Sequence, residues 1–369
     1  MGQQVTRRTF TKAGAVVALG AASPPALLAL ESHGADPRTP ACDFPGLLDL
    51  RPYQLLCIVC RLGDSPSGEL DDPRLNAILR AVRQDPKIPI RLRCNVESLF
   101  RYQNPGDADD TPEGTLFNAK RDLDVLQRMG LVPGDTRPAR DLFERLLANI
   151  STVRGICTFD KVTSAEWRGC PRTPGGYEQG HQRGLTAVIP ARPAAEKAEF
   201  KKQSAAAIYQ AEVLRIRPHH LMCMSCFFGG REKLAPIAED NLFEAIDVIQ
   251  KRPDIPVTLV PGCCMICPPC SAYDPKSNLC LGGRSMGLRD QKKDLDVLQR
   301  LGKKYGDTQP ARQLYQLLYE RVPSVTDICG YGDGQVRAPE WSVCGSAKGD
   351  TAYQKARAAN LGIPRSPTA

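Results

Sequence analysis

The chain repeats itself, and a repeat of this length confines the fold to what two similar halves can build. Arg51-Pro52-Tyr53-Gln54-Leu55-Leu56-Cys57-Ile58-Val59-Cys60 matches Arg217-Pro218-His219-His220-Leu221-Met222-Cys223-Met224-Ser225-Cys226. Asp122-Leu123-Asp124-Val125-Leu126-Gln127-Arg128 recurs unchanged as Asp294-Leu295-Asp296-Val297-Leu298-Gln299-Arg300. Gly134-Asp135-Thr136 returns as Gly306-Asp307-Thr308, and Ile156-Cys157 as Ile328-Cys329. Glu166-Trp167 with Cys170 returns as Glu340-Trp341 with Cys344, so the offset grows only from 166 to 174 residues. Insertions between the copies are therefore small. Two tandem homologous domains are expected, 43–190 and 212–365, with the Ala/Lys/Glu-rich stretch inside 191–211 as a partly helical linker.

Each copy shows the same coarse pattern. An apolar segment (Leu47–Leu50; Val213–Ile216) runs into the Arg-Pro element, and a helical period follows in Asp72–Arg83 and Leu234–Gln250. A short β-type run comes next, Ile88–Arg93 or Ile255–Val260, whose alternation puts Arg91 and Arg93 on one face. Two helices close each copy: the Asp-Leu-Asp-Val-Leu-Gln-Arg segment, and Pro138–Asn149 or Pro310–Arg321 with proline where a first turn tolerates it. The fold class is α+β: two small helix-rich domains, each with a short β-α-β element and long cysteine-bearing loops. With 31 glycines and 31 prolines the chain is richer in turn formers than average, which suits those loops.

Residues 1–35 form an address rather than part of the fold. Thr6-Arg7-Arg8-Thr9-Phe10-Thr11-Lys12 resembles the twin-arginine export motif, and an alanine-rich stretch follows from Ala13 to Leu30. Pro24-Pro25 interrupts that stretch, which argues against a stable membrane span. Met1-Gly2 with Thr6 also fits a myristoylation pattern, but the arginine pair explains more. Cys42 lacks the preceding residues of a lipidated cysteine. The twin-arginine translocase is thus an expected partner, and the periplasm or the exterior the expected location. That route carries folded proteins, as the resemblance implies, often with a metal already inserted.

Fifteen cysteines are far more than packing needs. Four occur in both copies: Cys57, Cys60, Cys157 and Cys170 correspond to Cys223, Cys226, Cys329 and Cys344. A Cys-x-x-Cys pair with two distant cysteines can supply four soft ligands to a metal. Two disulfides per domain are the competing explanation in an exported protein. The second copy adds Cys263, Cys264, Cys267, Cys270 and Cys280, which the first answers with Cys94 alone. Cys264, Cys267 and Cys270 stand at Cys-x-x-Cys-x-x-Cys spacing, the first part of the bacterial ferredoxin run. Asp274-Pro275 stands where a fourth cysteine would fall, so Cys280 or Cys223 is expected to complete the set. Adjacent cysteines such as Cys263 and Cys264 bridge only with strain, which favours metal here, iron–sulfur ahead of zinc. The expected cluster is 4Fe–4S in preference to 2Fe–2S.

The second copy resembles a known family at this point. Arg217-Pro218-His219-His220-Leu221-Met222-Cys223, then Ile266-Cys267-Pro268-Pro269-Cys270, Cys280, Asp294 and a late cysteine with Trp341 resemble an uncharacterised bacterial and archaeal cysteine-rich family regarded as iron–sulfur binding. The likeness covers most of 212–345. Ser271 replaces a proline the family tends to carry after Cys270, and Cys226 is extra. The first copy lacks both histidines and the dense loop, so the resemblance places the cluster in the second. It implies no reaction.

His219 and His220, expected at a strand end, would point to opposite faces, so one at most should face the centre of Cys223 and tune a cluster sulfur. Trp167 and Trp341 are expected as core anchors. In the Asp-Leu-Asp-Val-Leu-Gln-Arg helix, Leu and Val should point inward and both aspartates into solvent. No phosphate loop, dinucleotide fingerprint, His-Glu-x-x-His or nucleophile elbow occurs. A net charge of +8 from scattered lysines and arginines gives no nucleic-acid stripe. The expected function is an exported iron–sulfur protein passing electrons to a redox partner, without catalytic activity of its own. Two alternatives are a binding module stapled by zinc or disulfides, and a thiol–disulfide protein using Cys267 and Cys270. Asp274-Pro275 speaks against the helix that the last would need.

Overall fold

An extended arginine followed by proline sets the start of the first helix in each half. Arg51 has φ −74° and ψ 137°, and Pro52 opens the helix where its missing N–H costs nothing. The Arg51 backbone N–H donates to Gln54 Oε1 at 2.8 Å. The computed structural model describes residues 46–364, apart from 66–67, 97–98, 173–174, 283–286 and 346–349. Residues 1–35, expected as an export signal, and Cys42 lie outside the described residues.

The first half runs β1 (Leu48–Leu50), α1 (Pro52–Asp64), α2 (Pro73–Gln84), β2 (Pro89–Leu92), α3 (Thr115–Met129), β3 (Thr136–Pro138) and α4 (Ala139–Asn149). Helices α5 (Gly176–Arg183), α6 (Leu185–Val188) and α7 (Ala194–Gln210) follow. The second half runs β4 (Leu214–Ile216), α8 (Pro218–Gly229), α9 (Leu242–Lys251), β5 (Pro256–Leu259), the hairpin β6 (Tyr273–Asp274) and β7 (Leu279–Cys280), then α10 (Leu288–Leu301), β8 (Thr308–Pro310) and α11 (Ala311–Arg321). Helices α12 (Thr326–Cys329) and α13 (Thr351–Ala358) complete it. The class is α+β, as the alternation of short β runs with helical periods predicts.

Each half builds its own three-stranded sheet with the same pairing. β1 lies parallel to β2 with Leu48 opposite Ile90, and β4 lies parallel to β5 with Leu214 opposite Val257. β3 and β8 then add antiparallel, pairing Pro138 with Pro89 and Pro310 with Pro256. The shared pattern of extended apolar segment, helices, and Ile-Pro-x run thus becomes a parallel crossover and one antiparallel edge. Two apolar cores form, one within 48–189 and one within 208–363. The described residues nevertheless belong to one compact unit. Buried Glu340 accepts from Arg137 Nη1 at 2.8 Å and also pairs with Arg145. Lys87 meets Asp274 at 3.1 Å. The segment expected as a linker is mostly helix: α7 packs against α9, with Lys201 Nζ 2.6 Å from Glu244. Among the described residues no helix is long and apolar enough to cross a membrane.

Glycine decides one contact in each half. A Cβ on Gly63 would lie 1.7 Å from the Gly176 carbonyl oxygen, and one on Gly229 would lie 1.8 Å from that of Ala352. Here α1 meets α5 and α8 meets α13 at backbone distance. Gly229→Ala should therefore destabilise the protein by about 1–3 kcal/mol through overpacking, measured by urea unfolding. An unchanged midpoint would show that α13 yields without cost.

Candidate metal centre

Asp294 of α10 organises the entrance to the cysteine site. One oxygen accepts from Arg217 Nε at 3.0 Å and Nη2 at 2.7 Å. The other accepts the His219 backbone N–H at 3.0 Å, capping α8, and lies 2.7 Å from His219 Nδ1. Burial by itself would raise this carboxyl, but His219 and Arg217 outweigh it and hold Asp294 below the usual carboxylate value. The first half repeats the device: the Tyr53 N–H donates to Asp122 at 3.0 Å, and Arg51 Nε binds the same carboxylate. The helical pattern predicted solvated aspartates. Instead Asp122 and Asp294 are buried, while Leu123 and Leu295 are 44% and 51% exposed. Val125, Leu126 and Met129, and likewise Val297, Leu298 and Leu301, still face inward, and each aspartate joins that buried stripe as the partner of the Arg-Pro arginine.

The histidine pair also differs from the strand-end expectation. His219 and His220 lie in the first turn of α8, because the Arg-Pro element opens a helix. Consecutive helical residues diverge by about 100° instead of facing opposite ways. His219 goes to Asp294, whereas His220 Nδ1 lies 3.2 Å from Cys264 Sγ. Burial pushes His220 down to about 4, so its ring is neutral near pH 7.

The loop after β5 brings Cys263, Cys264 and Cys267 together beneath α8. It is shaped by turns, with Cys267 N–H donating to Cys264 O at 2.9 Å and Cys270 N–H to Cys267 O at 2.9 Å. The Cys264 N–H donates to Cys267 Sγ at 3.3 Å, Ala272 N–H to Cys270 Sγ at 3.4 Å, and Gly282 N–H to Cys280 Sγ at 3.4 Å. Backbone donors aimed at sulfur favour the thiolate that a metal requires. The thiols of Cys263 and Cys264 hydrogen-bond to Cys267 and hold it well below the ordinary thiol value, against burial. Burial and that shared bond push Cys264 up. Cys280, on β7, lies close enough to Cys263 and Cys267 to act on both electrostatically. The ligand atoms of His220, Cys264 and Cys267 lie within 4.8 Å of one another, as do those of His219, His220 and Cys223.

Cys223 occupies a second gathering. With Cys226, Cys329 and Cys344 it lines a cavity of about 320 Å³. The Cys344 N–H donates to Cys329 O at 2.9 Å, which joins the two distant members. In the first half the Cys170 N–H donates to Cys157 O at 2.8 Å, and burial pushes the Cys57, Cys60 and Cys157 thiols up. Cys94 is buried in the first core. None of the fourteen described cysteines is in a disulfide.

Arg192, just before α7, holds the dense loop from outside. Its Nη1 donates to Pro268 O at 2.5 Å and Cys270 O at 3.0 Å, and its guanidinium lies 4.5 Å from the Phe200 ring centroid. Sequence spacing does not point to Arg192, which gains its place from chain folding; Cys263 stands outside the Cys-x-x-Cys-x-x-Cys run and joins the site as the chain neighbour of Cys264. A cavity of about 630 Å³ is lined by Cys280 together with Arg217, Gln291, Tyr305 and, from the first half, Lys87.

The fold and site define a cysteine-rich α+β protein whose grouped histidine and cysteine side chains can hold a metal. Set against protein-family models, curated proteins and solved structures, the chain matches none.

Proposed function

We propose that the chain is an exported iron–sulfur protein that passes electrons to a redox partner. The observation that carries this reading is the Cys264–Cys267–His220 group, in which backbone N–H groups and a neutral imidazole converge on buried sulfur. Cys264, Cys267 and Cys280 supply three thiolates, and Cys263, whose thiol contacts Cys267, supplies the fourth. Cys223 and Cys270 border this set. The cluster is 4Fe–4S, and hydrogen bonds to its ligating sulfurs tune its potential. The cavity beside Cys280 supports electron exit to a partner at that edge. The residue likeness of 212–345 to the Arg-Pro-His-His family supports the same reading, and the matching strand pairing of the halves supports their origin by duplication.

Anaerobic purification of the mature protein should give a brown sample with iron and acid-labile sulfide. A colourless protein with zinc and no sulfide would overturn the reading. Zinc is the second reading, favoured by the closeness of His220, Cys264 and Cys267, since ligands of one tetrahedral ion at bonds of about 2.3 Å crowd together. Export follows the twin-arginine route: changing Arg7 and Arg8 to lysine should leave precursor in the cytoplasm, detected by fractionation. Normal export of that variant would remove the localisation from the proposal.

A further inference from the structure

Each half buries one cation beside its four repeat-shared cysteines. In the first half it is Arg121, 1% exposed, whose guanidinium lies 3.8 Å from the Tyr53 ring centroid and 5.0 Å from that of Phe117. Its Nη2 contacts Asn118 Oδ1 and, at 3.4 Å, Thr111 Oγ1, both neutral. Its Nε is buried without a hydrogen-bond partner. The neighbouring carboxylate, Asp122, is already taken by Arg51 and the Tyr53 N–H. Arg121 also bonds to the Cys157 side chain, and its charge reaches Cys57. In the second half the same helical place holds Lys293, 4% exposed, whose charge reaches Cys223 and Cys329. Its ammonium lies 3.7 Å from Asp290, which also pairs with Arg289.

A buried charge with neutral partners is costly, so Arg121 calls for an anion that four neutral thiols do not provide. Four thiolates on a metal do provide it. When four thiols bind one divalent ion they release four protons and leave a centre of net charge −2. A guanidinium or ammonium against that centre offsets part of the excess. The backbone brings the cysteines of each set together in pairs. Cys57 with Cys60, and Cys223 with Cys226, sit one helical turn apart on α1 and α8, and in each half a single backbone hydrogen bond joins the other two cysteines.

We infer that each half carries its own four-thiolate metal centre, on Cys57, Cys60, Cys157 and Cys170 and on Cys223, Cys226, Cys329 and Cys344, with Arg121 as the charge partner of the first. These two centres are separate from the one proposed on the dense loop, and stand or fall apart from it. The ligand chemistry is a thiophilic metal, as a single ion or as a cluster.

The first test uses the anaerobically isolated parent and alkylation read by mass spectrometry. The eight cysteines should resist alkylation until a strong chelator is added under denaturing conditions, and should then label without reductant. Labelling that requires reductant would reveal disulfides, and immediate labelling of the native protein would reveal empty thiols; either overturns the inference. Metal and sulfide analysis then tells a cluster, which releases sulfide, from a zinc ion, which does not. The second test compares variants. Cys57→Ser with Cys60→Ser should lose one centre's share of metal and keep the rest, and Cys226→Ser with Cys344→Ser should do likewise. Arg121→Gln should surrender first-half metal to chelator at least tenfold faster than the parent, whereas Arg121→Lys should restore retention. Equal release from all three proteins would remove the charge-partner role.

Discussion

Cys267→Ser is expected to strip the loop centre from the second half, with iron and visible absorbance falling by that centre's full share. Cys267 sits where the loop converges, taking the Cys264 N–H at 3.3 Å and the thiols of Cys263 and Cys264. A serine hydroxyl is a poor ligand for iron, and a cube deprived of one support opens that iron to solvent and oxidation. Cys57→Ser is the control: it removes a ligand from the first half and leaves the loop centre in place. Iron, sulfide and the visible spectrum of both variants, measured beside the parent, decide the matter. Should Cys57→Ser abolish the loop signal while Cys267→Ser keeps it, the assignment of the cluster to the dense loop fails.

Asp294→Asn should cost about 3–5 kcal/mol, because it leaves the buried Arg217 charge without its partner. The carboxylate takes two guanidinium bonds and the α8 backbone N–H, and it faces His219 Nδ1. An amide keeps one acceptor and turns its NH2 toward donors. Asp122→Asn should cost less, since Arg51 Nη1 keeps Asp110 at 2.8 Å. Urea unfolding of both variants measures the difference, and an equal or reversed order would refute the account. The pH dependence has a definite sign. Asp294 is held below the ordinary carboxylate value of 3.8, so its contribution is complete above that value and disappears as pH falls through the lowered folded one. The gap between parent and Asp294→Asn should therefore be constant near neutrality and shrink only in acid.

Much of the backbone plan was legible because it depends on local chemistry. The Ile-Pro-x runs lie as strands, whereas the helices that Arg51-Pro52 and Arg217-Pro218 open stand outside the helical periods the sequence displays. The cysteine sets could be picked out because the halves can be compared with each other. Asp122 and Asp294 escape an amphipathic pattern, which counts apolar residues and takes no account of a distant arginine. The histidine pair escapes local patterning for a related reason: a short apolar segment can continue as strand or turn into helix, and Pro218 chose helix.

The sequence by itself determined the α+β class, the short Ile-Pro β runs, the closing helices and the abundance of thiols, because propensity, proline geometry and residue chemistry act within a few positions along the chain. Only the tertiary structure decided that Asp294 is buried, that His220 and not His219 meets Cys264, and that Arg192 clasps the cysteine loop. The same holds for Arg121, which lies among thiols with no carboxylate of its own. Those outcomes depend on desolvated charges finding partners tens of residues away, and a buried charge without a partner costs more than one exposed leucine returns.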